Sequence, residues 1–133
     1  MGVIRGCAAP RPDDPDTWIS EEIIRAYTRL HELGVAHSAE VYASDDQEQS
    51  NLLGGIYGLA IGGAFFAESM FSRVPWASQI ALVHLANHLE EQGFVLLDAQ
   101  LWNPHLDQFG AQRITHDAYM DRLREAVQLD AAF

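Results

Sequence analysis

Residues 54–72 read GGIYGLAIGGAFFAESMFS, which predicts two apolar strands joined by a tight turn at Gly62 and Gly63. Glu68 is the one acidic residue in this stretch, and a carboxylate among aromatic side chains is costly to bury without a partner. The pattern therefore indicates a cavity or a hydrogen-bonding role for Glu68. Alternation along the second strand predicts two opposite faces, one with Ala64, Phe66, Glu68 and Met70 and the other with Phe65, Ala67, Ser69 and Phe71.

The composition is that of a single folded domain. The chain has 133 residues, 48% of them hydrophobic, which suffices for a buried core. No apolar run reaches the roughly 18 residues of a membrane-spanning helix, and the N-terminus lacks the apolar region of a signal peptide. The single cysteine, Cys7, excludes an intramolecular disulfide and suits a reducing compartment. We therefore expect a soluble, cytoplasmic protein without a membrane partner.

The charge of the chain argues against a phosphate-binding surface. Eight arginines and no lysine face 19 acidic residues, which gives a formal net charge of −11. A protein that binds RNA through its phosphates is expected to present a basic face. Many of the acids are clustered at residues 13–16 and 45–48, so a local basic patch remains open.

End signals and residue spacing predict the elements around the two central strands. Ser20 caps a helix that runs from about Glu21 to Leu33, a second helix runs from about Trp76 to Gln92, and residues 94–100 form an apolar, central strand. The predicted layout is α+β around a mixed sheet. Thr115 caps a last helix whose inward residues are predicted to be Tyr119, Met120, Leu123 and Val127.

Asp98 and Gln100 form the strongest chemical pair. If both lie on a strand, two residues apart, their side chains leave the same face. We expect the Asp98 carboxylate to accept a hydrogen bond from the Gln100 side-chain nitrogen. The amide oxygen would then be left to accept a hydrogen bond from an attacking amine. An amide is too weak a base to take the proton, so its contribution is orientation and polarisation. The alternative is a structural pair that satisfies a strand end.

Several spaced motifs occur together: GGIYG at 54–58, ESMFS at 68–72, LLDAQ at 96–100 and the element at 105–111, preceded by TWI at 17–19 and LHELGVAHSAEV at 30–41. In this combination the chain resembles the leucyl/phenylalanyl-tRNA–protein transferases over nearly its whole length. The resemblance implies an α+β, GNAT-like (acyl-CoA N-acyltransferase-like) fold, a mixed sheet flanked by helices. It implies that residues 17–133 are the catalytic domain and that residues 1–16 are a remnant and linker, with the family's N-terminal domain absent.

The resemblance also implies a reaction and its residues. Leu, Phe or Met would be transferred from aminoacyl-tRNA to the N-terminal Arg or Lys of an acceptor protein, an N-degron tag for degradation, without cofactor or metal. The family's catalytic Asp-x-Gln falls on Asp98 and Gln100. Glu68, Ser69 and Trp18 would bind substrate, Trp18 beside the terminal adenosine. An apolar pocket for the transferred side chain is implied at Ile56, Phe65, Leu85 and Leu97.

Each implied role has a structural alternative. Glu68 would cap the turn after its strand, Trp18 would anchor the start of a helix, and the four apolar residues would be plain core. For His105 we prefer the structural role, bracing the loop after the catalytic strand.

The chain departs from the family at three positions. Ala67 stands where the family usually has Gly, Gln79 where Lys is common, and His116 near a usual Arg. The last two changes remove positive charge and weaken the expected interaction with tRNA. The alternative function is a non-catalytic or partner-dependent module of the same fold that binds peptide N-termini or aminoacyl-adenosine. An exposed apolar patch around Val3, Ile4 and Trp18 would be consistent with self-association, so a homo-oligomer is left open.

Two other site chemistries fit the sequence poorly. His84 and His88 are spaced to chelate a metal on one helix, but neither a third ligand nor an H-E-x-x-H pattern accompanies them. A coenzyme A site needs a glycine-rich turn with free amides, and residues 73–78 carry Pro75 and Trp76 there instead. We therefore expect neither metal nor coenzyme A.

Overall fold

The computed structural model describes residues 2–10, 17–44, 51–101 and 104–133, apart from the side chain of His105. The elements in this part of the chain follow one another in this order: α1 (Gly2–Ala8), α2 (Glu21–Glu32), β1 (Ala36–Tyr42), β2 (Leu52–Ile61), β3 (Ala64–Ser72), α3 (Ala77–Glu91), β4 (Leu96–Asp98), α4 (Pro104–Asp107) and α5 (His116–Ala126).

The four strands form one mixed sheet in the order β1-β2-β3-β4. The first three strands are antiparallel neighbours, and β4 pairs with β3 in parallel after the crossover through α3. The α+β, GNAT-like layout is thereby confirmed. Both predicted helix caps are confirmed too, because the Ser20 and Thr115 side chains accept hydrogen bonds from the Ile23 and Ala118 backbone N–H groups.

A β-bulge divides β3 at Glu68. Tyr57 of β2 pairs with Ser69 and Gly58 pairs with Ala67, so Glu68 is an extra residue without a partner on β2. The bulge reverses the alternation of the side chains that follow it. Phe65 and Phe71, predicted on one face, therefore pack on opposite sides of the sheet, and this prediction is wrong.

Each face of the sheet carries its own core. On one face α1 and α2 pack on the sheet, and the buried residues of this core are Val3, Ile4, Cys7, Ile19, Ile24, Leu52, Tyr57 and Phe71. On the other face α3 packs on the sheet, and the buried residues of this core are Ile56, Phe65, Ala81, Leu82, Leu85, Leu89, Phe94 and Leu106. Val3 and Ile4 are 1% and 3% exposed, so they do not form the exposed patch that would have been consistent with self-association; of that group only Trp18 is exposed.

The strand predicted over residues 94–100 is shorter than expected and lies at an edge. Only Leu96–Asp98 form β4, which pairs with β3 alone. Its apolar character has another cause: Leu97 faces the α3 core, whereas Leu96 packs against Ala126 of α5. In α5, Ala126 is the fully buried residue, and Val127, predicted to face inward, is 36% exposed.

Candidate active site

The last paired position of β3 and β4 brings Phe66 opposite Asp98. Beyond it β4 ends, whereas β3 continues through Ala67 and the bulged Glu68. This leaves backbone groups of β3 without a strand partner on that side, and the residues after Asp98 fill the gap. The bulge and the early end of β4 thus create one polar junction at the sheet edge.

Asp98 uses both of its carboxylate oxygens in this junction. Oδ1 accepts the backbone N–H of Gln100 at 2.7 Å, and Oδ2 accepts the hydroxyl of Tyr119 at 2.7 Å. The backbone bond closes a tight turn around Gln100, whose φ of 61° lies in the left-handed region. That conformation costs a non-glycine residue about 1–2 kcal/mol, and the hydrogen bond to Asp98 helps to offset the cost.

The side chain of Gln100 points towards β3. Its amide nitrogen donates to the backbone oxygen of Ala67 at 3.1 Å and to Oε2 of Glu68 at 3.3 Å. Both neighbours are acceptors when Glu68 is ionised, so the amide nitrogen and not its oxygen belongs there. The predicted hydrogen bond from this nitrogen to the Asp98 carboxylate is wrong, because Gln100 is not on a strand and Asp98 holds its backbone instead.

Glu68 connects this junction to α2. Burial is the main cause that raises the pKa of Tyr27 to about 12, and the nearby carboxylate of Glu68 adds to it through its negative charge and through hydrogen bonding to the Tyr27 hydroxyl. Tyr27 in turn packs edge-on against Tyr57, with the ring centres 5.3 Å apart. The carboxylate predicted to need a partner thus has two.

The pKa values of two further tyrosines, Tyr57 and Tyr119, are also raised. At Tyr57 burial is the main cause, and Cys7, Tyr27 and Glu68 add to it; the hydroxyl is buried without a hydrogen-bond partner among the described residues. At Tyr119 the hydrogen bond to Asp98 is the main cause, ahead of burial, and raises the pKa to about 12. These hydroxyls therefore remain protonated donors at neutral pH.

The four predicted pocket residues share the core beneath α3. Ile56, Phe65 and Leu85 are at most 3% exposed, and Leu97 is partly buried against them. The ring of Phe133 covers this cluster from the end of the sequence. It stacks on Phe65, with the ring centres 5.6 Å apart, and also contacts the rings of His37 and His88.

The remaining predicted residues lie outside the polar junction or on another face. Trp18 is 59% exposed ahead of α2, with its indole open to a partner. Ser69 follows the bulge and pairs with Tyr57, so it belongs to the α1 and α2 face and not to that of Phe65. The prediction for His105 concerns a side chain outside the described part of the structure.

The sequence did not indicate that the hydroxyls of two residues of the junction, Tyr27 and Tyr119, bind its carboxylates. Tyr119 was predicted only as an inward residue of its helix. Half-buried tyrosine hydroxyls usually find a hydrogen-bond partner, which is the one available signal. That signal does not identify the partner, because Glu68 and Asp98 lie far from them in sequence.

Within the described ranges no group of three or more His, Cys, Asp or Glu residues is placed to bind a metal ion. The same residues contain no helix with the length and hydropathy that a membrane crossing would require.

The sequence profile described as leucyl/phenylalanyl-tRNA protein transferase matches residues 1–124. The chain belongs to this family. A relative from Pelodictyon phaeoclathratiforme named leucyl/phenylalanyl-tRNA–protein transferase is 57% identical over 99% of the chain and 66% of the relative. Relatives of the same name from Chlorobium luteolum and Rubrobacter xylanophilus are 55% and 53% identical over 98% of the chain. The chain spans 65% and 64% of these two relatives, just under two thirds of the length of each.

Proposed function

We propose that the chain carries the catalytic centre of an aminoacyl transferase, which moves Leu, Phe or Met from aminoacyl-tRNA to a protein that begins with Arg or Lys. The acceptor would thereby be marked for degradation, in the cytoplasm where aminoacyl-tRNA is available. The observation that carries the proposal is the orientation of Gln100. Because its amide nitrogen donates to Ala67 and Glu68, its amide oxygen is left to accept a hydrogen bond from the substrate.

The reaction needs little chemistry from the protein because the aminoacyl ester is already activated. The α-amino nitrogen of the acceptor attacks the ester carbonyl carbon and forms the amide bond. The bond from that carbon to the ribose oxygen of the terminal adenosine breaks, and the amine's proton passes to this oxygen. We assign Gln100 to orient the attacking amine through its amide oxygen, so that positioning supplies most of the rate.

Asp98 and Glu68 support Gln100 from two sides. Asp98 holds its backbone through the 2.7 Å bond to the N–H group, and Glu68 helps to hold its side chain. This division of roles differs from the sequence-based expectation, in which Glu68 binds substrate.

The substrates fit other features of the chain. The cluster at Ile56, Phe65, Leu85 and Leu97 is apolar, as a Leu, Phe or Met side chain requires, at about 0.8 kcal/mol per buried methylene. The exposed indole of Trp18 is suited to stack on the terminal adenine. A net charge of −11 favours a cationic Arg or Lys N-terminus as acceptor more than it favours RNA.

The test is transfer of labelled Phe from Phe-tRNA to a peptide that begins with Arg. We expect transfer by the chain and a loss on the order of 10–100-fold in kcat for Gln100→Ala. The matched control is Gln128→Ala, which removes the same group from an exposed position after α5. A folded chain that binds puromycin or the Arg peptide but transfers nothing would overturn the proposal and indicate the binding module instead.

A further inference from the structure

The carboxylate of Asp98 is fixed by a residue from the far end of the chain. One oxygen holds the backbone of Gln100, and the other accepts the Tyr119 hydroxyl at 2.7 Å. A carboxylate bonded through one oxygen is free to turn about its last side-chain bond. Donors on both oxygens restrict that rotation, so Tyr119 fixes the plane in which Asp98 meets Gln100.

Tyr119 is itself held in place from two sides. Its ring packs with Leu123 against the small core of Ala64, Leu96 and Ala126, between α5 and the strands β3 and β4. Helix α5 is anchored at its start by the Thr115 cap and at its end by the backbone bond from Gly63 to Ala126, at 2.7 Å. The hydroxyl is therefore presented to Asp98 by a rigid element.

We infer that Tyr119 is a positioning residue of the proposed transfer reaction, acting through Asp98 on Gln100. The inference rests on the proposed function. Tyr119 holds the Asp98 carboxylate, Asp98 holds Gln100 in its left-handed turn, and the turn directs the Gln100 amide to Ala67 and Glu68. Tyr119 has no assigned contact with substrate, so its effect is on orientation alone.

The principal test is Tyr119→Phe, which keeps the packed ring and removes only the hydroxyl. We expect kcat for transfer to fall on the order of tenfold, the usual effect of losing one hydrogen bond to a charged group. The KM values for both substrates should remain unchanged. The matched control is Tyr42→Phe, which removes a hydroxyl that donates to Glu40 on β1, at the opposite edge of the sheet.

A second measurement separates positioning from general loss of structure. In an Asp98→Ala background, Tyr119→Phe should cause no further loss of kcat, because its effect passes through the absent carboxylate. Additive losses in the double variant would overturn the inference, as would an unchanged kcat in the single variant.

A third measurement does not depend on activity. Hydrogen exchange of the Gln100 backbone N–H, which donates to Asp98, should accelerate several-fold in Tyr119→Phe while exchange in the α3 core stays the same. If the wild-type chain transfers nothing, the proposed function fails, and this exchange rate still decides whether Tyr119 orders the turn. An unchanged rate at Gln100 would overturn that ordering role.

Discussion

The side-chain nitrogen of Gln100 lies 3.3 Å from Oε2 of Glu68, although 32 residues separate them along the chain. The contact exists because β4 ends at Asp98 while β3 continues into a bulge at Glu68. A carboxylate from one strand and an amide from the turn after the next strand thereby form a single unit. The unit has a defined free atom, the amide oxygen of Gln100, on which the proposed reaction depends.

We expect the bulge to depend on the close packing at Gly58. A methyl group added there would lie 2.1 Å from the backbone oxygen of Phe66 and 2.5 Å from the ring of Phe65, and the backbone oxygen cannot move without moving β3. We expect Gly58→Ala to lower the free energy of unfolding by about 1–3 kcal/mol and to reduce transfer by displacing Glu68. Urea unfolding and the transfer assay measure the two effects.

Gly34→Ala is the control for this substitution. Gly34 has a φ of 73° with nothing near its Cβ direction, so the change there costs only backbone conformation, about 1 kcal/mol. Transfer should be unaffected, because Gly34 lies between α2 and β1, away from the junction. If Gly58→Ala proves no more damaging than Gly34→Ala in either assay, the bulge does not depend on close packing at Gly58.

The tyrosines predict how stability depends on pH. The folded chain holds the pKa of Tyr27 and of Tyr119 at about 12, whereas unfolded tyrosine titrates near 10. Above pH ~10 the unfolded state therefore releases protons that the folded state retains. Stability from these groups is complete below that pH and declines between pH ~10 and ~12.

Urea unfolding across this range gives the measurement. We expect the free energy of unfolding to fall with rising pH and to fall less steeply in Tyr119→Phe and in Tyr27→Phe. A slope that neither substitution reduces would show that Asp98 and Glu68 do not hold these hydroxyls in the folded chain.

Phe133 covers the proposed pocket for the transferred side chain. Its ring stacks on Phe65 and lies beside His37, with the ring centres 4.3 Å apart, so an incoming aromatic side chain must displace it. We expect Phe133→Ala to tighten puromycin binding by about 3–10-fold, because Phe65 is then open to the ligand, at a cost of about 1–3 kcal/mol in stability.

Leu129→Ala is the matched control for Phe133→Ala. It shortens another apolar side chain of the segment after α5, but Leu129 is 42% exposed and packs near Gly63, not on Phe65. Puromycin affinity should remain at the wild-type value in this variant. Weaker or unchanged puromycin binding by Phe133→Ala would argue against a donor pocket at Phe65.

The parts of the fold with local causes were predictable from the sequence. The turn at Gly62 and Gly63 follows from glycine's freedom at positive φ, and Gly62 indeed has a φ of 57°. Ser20 and Thr115 cap their helices because an N-cap needs only a side-chain oxygen near the backbone N–H groups that follow. Asp98, Gln100 and Glu68 were identified by motif, and the structure brings the three together.

The arrangement within the site was not predictable, because it depends on contacts between distant segments. The bulge at Glu68 lies where Gly58 closely approaches β3, and no local pattern encodes that distance. The end of β4 at Asp98 decides which group Gln100 contacts. The apolar residues before Asp98 do not indicate where the strand ends. Tyr119 reaches Asp98 only once α5 has packed on the sheet edge.

In the proposed reaction Glu68 acts through Gln100, and a double-mutant cycle on the transfer rate tests this coupling. Single-turnover transfer of Phe to an Arg peptide is measured for wild type, Glu68→Ala, Gln100→Ala and the double variant. We predict that each single substitution lowers the rate and that Glu68→Ala causes no further loss once Gln100 is absent. Losses that multiply fully in the double variant would show that Glu68 acts independently of Gln100 and would overturn this coupling.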